Sequence, residues 1–256
     1  MDSLESDDGE SIDRLGNSLW ETLLSELVAP SLSAARACPT CFGVNYTDEL
    51  HCTNCNTNTL TLLGATTPVF PVSLYRRPSV LRECLSHYKS SDDHIANPNA
   101  ADAIGRILAT FLRANDDALA LKDVDALVVV PSTSRPAPHP LELVLAAYGP
   151  SLPPVVALLE RTTAALSHNH PNSSAFVTSR SVAGLKLLLI DDVYTTGARG
   201  QSAHSVLVNA GASVQALVVV GRRINTEYHP NAAELWSACA AAQFRWDNVQ
   251  TASCRR

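Results

Sequence analysis

Hydrophobic residues along this chain fall into two kinds of run, spaced in alternation. Short unbroken aliphatic blocks, Asp125-Ala-Leu-Val-Val-Val130, Leu187-Leu-Leu-Ile190 and Ser213 to Gly221, predict strands buried on both faces. Between them lie stretches with helical spacing. Pro78 opens one that runs to about Lys89, Asn97 and Pro98 start another that ends near Leu112, and Leu141 to Tyr148 gives a third. Pro154 to Arg161 reads as a further strand, Thr66 to Tyr75 as an edge strand or extended linker because of its prolines, and Asn231 to Gln243 as a C-terminal helix. Strands alternating with helices predict an α/β fold: a mostly parallel sheet flanked by helices, with ligands at the carboxyl ends of the strands.

Two regions depart from this rhythm. From Ile12, apolar positions at Leu15, Leu19, Leu23 and Leu27 make one face of a helix that Pro30 ends, behind an acidic, Ser-rich segment from Met1 to Glu10. That face must pack on the protein's own core or on a second subunit, as in a homodimer. Thr162 to Gly184 has little periodicity and is rich in Ser, His, Asn and Thr, which marks a long loop, functional or disordered.

The apolar fraction of 46% and charged fraction of 17% describe a globular chain, and its 256 residues suffice for one sizeable core and a small appendage. A net charge of −6 argues against coating nucleic acid by bulk electrostatics. No apolar run reaches membrane-spanning length and the N-terminus is acidic, so the expectation is a cytoplasmic protein without a membrane partner.

Four of the seven cysteines form two knuckles, Cys38-Pro-Thr-Cys41 and Cys52-Thr-Asn-Cys55. Such spacing supplies four thiolates to a tetrahedral zinc ion, in a closed site that folds its module and does no catalysis. Boundaries follow: 1–36 for the acidic segment and amphipathic helix, 37–65 for a zinc ribbon, 66–227 for the α/β domain and 228–256 for a helical tail.

The strand Leu187–Ile190 is followed by Asp191, Asp192 and then Thr195-Thr196-Gly197-Ala198-Arg199. Two acids at a strand end suit sugar hydroxyls and help to balance magnesium; hydroxyls, glycine and a helix N-terminus suit a phosphate. Pro131-Ser132-Thr133-Ser134-Arg135, after the preceding buried strand, offers a second anion site. Phosphate, ribose and metal at one strand end suggest phosphoribosyl diphosphate. Neither a Walker loop nor a dinucleotide fingerprint is present.

These residues resemble the diphosphate-sugar signature of type I phosphoribosyltransferases. With the N-terminal knuckles, the chain is similar to the ComF-type competence phosphoribosyltransferases from roughly Cys38 to Gly221, including Leu81-Arg82 with Tyr88-Lys89, the family's Lys-Tyr pair in reversed order, and Asn172 with Phe176. The resemblance implies that Asp191 and Asp192 bind the ribose hydroxyls and assist magnesium. By the same resemblance Thr195, Thr196, Gly197 and Ala198 enclose the 5-phosphate, Ser132 to Arg135 form a pyrophosphate loop, and Thr162 to Gly184 cover the site. It implies transfer of the phosphoribosyl group to a nitrogen acceptor or, alternatively, a non-catalytic adaptor in DNA uptake or recombination with a DNA-processing protein or DNA itself as partner. The chain departs from the family twice. Arg199 stands in place of a hydroxyl residue, where its guanidinium can pair with the same phosphate. His139-Pro140-Leu141-Glu142 stands where the family has Arg-Gly-x-Asn; an arginine contact of that kind is worth about 1.5–3 kcal/mol, which Arg135, Arg161 or Arg180 would have to supply.

Overall fold

The structure is a computed structural model and describes residues 18–89, 96–132, 138–247 and 249. Four strands, β1 (Val69–Tyr75), β2 (Ala126–Val129), β5 (Lys186–Tyr194) and β6 (Ser213–Arg223), form one parallel sheet in the order β1-β6-β5-β2. Two three-residue strands, β3 (Leu159–Arg161) and β4 (Phe176–Thr178), pair antiparallel as a separate ribbon. The helices are α1 (18–26), α2 (Thr53–Thr61), α3 (Val80–His87), α4 (Pro98–Ala114), α5 (Pro140–Ala146), α6 (Ala198–Asn209) and α7 (Pro230–Ala240). A parallel sheet flanked by helices is therefore present as expected. One strand is not: Pro154 to Arg161 gives only a parallel bridge from Val155 to Leu127 before the chain leaves the sheet for β3. Pro153 and Pro154 lack the N–H that a longer ladder needs.

Period-two alternation divides the aliphatic blocks between two cores. Leu188 and Ile190 of β5, with Val218 and Val220 of β6, pack against Ile104, Ile107 and Leu108 of α4. Their neighbours Leu187, Leu189, Leu217 and Val219 face the other way, into a core shared with Ala203 and Leu207 of α6 and with all four knuckle cysteines. Each of these β5 residues is fully buried, which stabilises the fold by roughly 1.5–3 kcal/mol per side chain. The face of α1 is covered by the protein's own core: Leu23 and Leu27 are buried there, and Trp20 stacks on Trp246 with ring centroids 6.5 Å apart. The start of that helix and the acidic segment lie outside the described residues.

The segment 53–61, within the predicted zinc ribbon, is helical. Its residues, Thr-Asn-Cys-Asn-Thr-Asn-Thr-Leu-Thr, carry no apolar stripe. What holds them is the module itself: Cys52 is the N-cap, and Cys55 and Asn58 are the buried side chains of the helix. No helix among the described residues is long and apolar enough to cross a membrane.

Candidate active site and metal centre

The strand carrying the acids does not stop at them. β5 continues through Asp191, Asp192 and Val193 to Tyr194, because β6 extends beside it in register, pairing Val219 with Asp191 and Arg222 with Tyr194. Asp191 and Asp192 thus lie within the paired strand, and both are only 2% exposed. On the other side of β5, the Val130 N–H donates to the Ile190 carbonyl at 2.9 Å. The chain that follows β2 thus leaves the sheet beside the acids. Of the predicted pyrophosphate loop, Ser132 is buried there; Thr133, Ser134 and Arg135 lie outside the described residues.

Every oxygen of the acid pair accepts a hydrogen bond from the chain. Asp191 takes Arg199 Nη2 on Oδ1 at 2.5 Å, together with the Asp192 N–H at 2.9 Å, and Arg199 Nε on Oδ2 at 3.2 Å. Asp192 takes Arg199 Nη2 at 3.0 Å and the Val193 N–H at 2.8 Å on Oδ1, and Lys89 Nζ at 2.6 Å and the Tyr88 hydroxyl at 2.9 Å on Oδ2. Two cations therefore balance two carboxylates. Burial raises the Asp191 carboxyl to about 7 against the pull of Arg199, whereas Arg199 and Lys89 overcome burial at Asp192 and hold it low, with a further contribution from the buried His139. A proton entering the pair goes to Asp191. A hard cation finds no open carboxylate oxygen in this arrangement, so the residues do not fit a magnesium ion bound directly by the acids.

After Tyr194 the turn Thr195-Thr196-Gly197 leads into α6. Gly197 has φ +85°, and a Cβ there would lie 2.0 Å from the Tyr194 hydroxyl oxygen, so both backbone and space demand glycine. Among the described residues, no side-chain cap takes the first amides of α6. The N–H groups of its first turn and the positive end of the helix dipole suit an anion. Acids, turn and the first residues of α6 line one cavity of about 400 Å³, with Lys89 on one wall and Leu166 to His168 on another. The Thr196 hydroxyl donates to the His168 carbonyl, which ties the long loop onto the turn. Arg161 does not reach this cavity's anion turn: its guanidinium donates to the Ala175 and Ala164 carbonyls at 2.6 and 3.0 Å and braces the ribbon. His139 and Pro140 serve as N-cap and first residue of α5, with His139 Nδ1 accepting from the Leu141 N–H at 3.1 Å.

The four knuckle cysteines converge. Their sulfurs all lie within 4.8 Å of one another, with Cys38 to Cys55 at 3.8 Å and Cys41 to Cys52 at 3.7 Å, and all four residues are buried. A tetrahedron with zinc–sulfur bonds of about 2.3 Å has sulfur–sulfur edges of about 3.8 Å. The donor set thus fits a tetrahedral, thiophilic ion such as zinc, in a closed site. Phe42, at φ 55°, turns the first knuckle so that the Cys38 N–H reaches the Gly43 carbonyl at 2.8 Å.

Sequence reasoning alone assigns no role to Lys89 and Tyr88 beyond a matched pair, and none to Asn58 or Arg222. One signal was available for Arg222, an arginine directly following a buried aliphatic strand. Asn58 had none, since it sits among polar neighbours.

No family model and no curated protein matches the chain. Among solved structures, a phosphoribosyltransferase from Corynebacterium diphtheriae is similar over 72% of this chain and 89% of its own, at 17% identity and a TM-score of 0.35. Orotate phosphoribosyltransferase of Mycobacterium tuberculosis H37Rv, solved in complex with inorganic phosphate, is similar over 72% of this chain and 82% of its own, at 17% identity and a TM-score of 0.34. UMP synthase of Leishmania donovani is similar over 57% of this chain and 31% of its own, at 15% identity and a TM-score of 0.32.

Proposed function

We propose that the protein binds phosphoribosyl diphosphate at the carboxyl end of β5 and transfers its phosphoribosyl group to a nitrogen acceptor. One observation carries this reading: a buried acid pair, an uncapped helix N-terminus and a glycine-requiring turn share one cavity with two cations. The 5-phosphate would lie in the turn Thr195 to Ala198. Arg199, now paired with both acids, is one residue beyond that turn, and its long side chain can exchange the carboxylates for the phosphate. That exchange frees Asp191 and Asp192 to accept from the ribose hydroxyls. Lys89 supplies positive charge against the diphosphate, and Leu166 to His168 cover the cavity.

Magnesium would enter this reading with the diphosphate, whose charge it would help to neutralise. Zinc is the ion proposed for Cys38, Cys41, Cys52 and Cys55, in a structural role. For the acceptor, this reading takes a second cavity at the carboxyl end of β1, walled by Trp236, Phe244 and Trp246 with Arg76 stacked over the Trp236 ring at 5.1 Å. An aromatic acceptor suits such walls.

A binding role without turnover is the second reading. It is favoured by the internal pairing of the acids and by the use of His139 and Pro140 to start α5 where the family that the chain resembles has an arginine. The double variant Asp191→Asn with Asp192→Asn separates binding from everything else: titration calorimetry with phosphoribosyl diphosphate should show no binding while the far-ultraviolet spectrum is unchanged. Binding at wild-type affinity would overturn both readings. Pyrophosphate release across a panel of nucleobases and amines then decides between them.

A further inference from the structure

Arg222 is buried, 5% exposed, and among the described residues no carboxylate lies within ion-pair distance of it. A buried guanidinium without a carboxylate is costly and needs its donors filled. Here they are filled from two sides. Nε donates to the Cys41 carbonyl at 3.1 Å, and Nη2 lies 3.6 Å from Cys41 Sγ. From the same side chain Nη1 donates to the carbonyls of Tyr194 at 3.1 Å and Thr195 at 2.6 Å. Gly43 makes this possible, since a Cβ at that position would stand 1.9 Å from Nη2. Asn58, on the helix that Cys52 caps, adds a third contact by donating Nδ2 to the Thr196 carbonyl at 3.0 Å.

Three consecutive carbonyls, those of Tyr194, Thr195 and Thr196, are thus held by the four-cysteine module and by an arginine locked into it. A trans peptide is planar and its N–H points opposite to its C=O. Carbonyls fixed on the module side therefore fix the amides of Thr195, Thr196 and Gly197 toward the opposite side, where these residues line the cavity. We propose that Arg222 is a positioning residue through which the metal-loaded four-cysteine module holds the Thr195–Ala198 turn in the shape that accepts an anion. The module is then part of the ligand site and its metal content sets whether that site is formed. A centre of thiolates around one divalent ion also carries net negative charge, which supplies the counter-charge that Arg222 otherwise lacks.

The proposal rests on the turn being an anion site, but its test need not. Arg222→Met keeps the bulk of the side chain and removes donors and charge; Arg222→Lys keeps the charge. With metal content confirmed, backbone 15N relaxation should show the order parameters of the Thr195, Thr196 and Gly197 amides falling from about 0.85 to below about 0.6 in Arg222→Met, while those of Leu187 to Ile190 stay unchanged. Inorganic phosphate should bind at least about tenfold more weakly, with partial recovery in Arg222→Lys, a change of about 1.4 kcal/mol. Order parameters that match wild type in folded, metal-loaded Arg222→Met overturn the proposal. Should that variant not fold, Asn58→Ala is decided by the same readout at the Gly197 amide, whose peptide carbonyl is the one Asn58 holds. The relaxation measurement uses no ligand, so failure to bind phosphoribosyl diphosphate would sink the preceding reading and leave this one standing.

Discussion

At the scale of single residues, the site is governed by what Arg199 touches. A guanidinium that spans Asp191 and Asp192 neutralises charge that would otherwise attract a metal ion, and it does so with donors reaching both carboxylates. Arg199→Ser tests this directly. The variant should lose up to about 3 kcal/mol, because a buried carboxylate is left without its partner. Serine also opens the carboxylates to small cations, so magnesium should raise the Tm of Arg199→Ser and leave that of wild type unchanged; thermal melts with and without the ion check it. The residue's identity is plain in the sequence, where it stands in place of a hydroxyl residue of the signature that the chain resembles. Its partner is not. Sequence position alone allows Arg199 to face the phosphate or the acids, and only the register of β5 beyond Ile190, set by β6, places both acids within its reach.

Among the elements, those with strong apolar periodicity appear where their pattern puts them, and the exceptions have physical causes. α4 begins at Asn97 and Pro98 as composition dictates: the Asn97 side chain accepts from the Ala100 N–H at 3.1 Å, and Pro98 takes the first helical position. Asn97→Ala should cost about 1 kcal/mol, read from the denaturant midpoint at unchanged slope. A shift well under this would mean that packing of Ile104, Ile107 and Leu108 overrides the cap. By contrast α2 carries no apolar stripe, and its stability comes from two cysteines and from Asn58 reaching across to the turn. Likewise Pro154 to Arg161 has the composition of a strand, yet two prolines at its start and pairing with β4 at its end draw it away from the sheet.

Taken as a whole molecule, the four-cysteine module and the α/β core share one hydrophobic interior on the α6 face of the sheet. Their junction is also polar. His204 on α6 donates from Nδ1 to the Ala65 carbonyl at 3.1 Å, and the Gln201 side chain bonds the Thr67 backbone in both directions at 2.9 Å, so both ends of the segment entering β1 are tied to α6. Burial lowers the His204 imidazole below its ordinary value, only partly offset by the Ala65 contact. Because the folded form excludes a proton that the unfolded chain binds, this contribution is complete above about pH 6.5 and declines as the pH falls toward the lowered folded value, at up to about 1.4 kcal/mol per unit. Stability measured between pH 7 and 5 should fall less steeply in His204→Gln than in wild type. Equal slopes would assign the acid sensitivity to other groups.

What the sequence determined by itself was chemistry that depends on spacing: the buried strands, two thiolate knuckles, the acid pair and the glycine turn after it. Local spacing suffices there because the partners lie within a few residues on one element or are read as identical paired motifs. The tertiary structure decided what crosses the chain: Lys89 and Tyr88 meeting Asp192, Asn58 meeting Thr196, and Arg222 joining Cys41 to Tyr194 and Thr195. These contacts link residues 103 to 181 positions apart wherever an acid or a cysteine is involved. No periodicity encodes such separations; the packing of two cores on one parallel sheet brings them together.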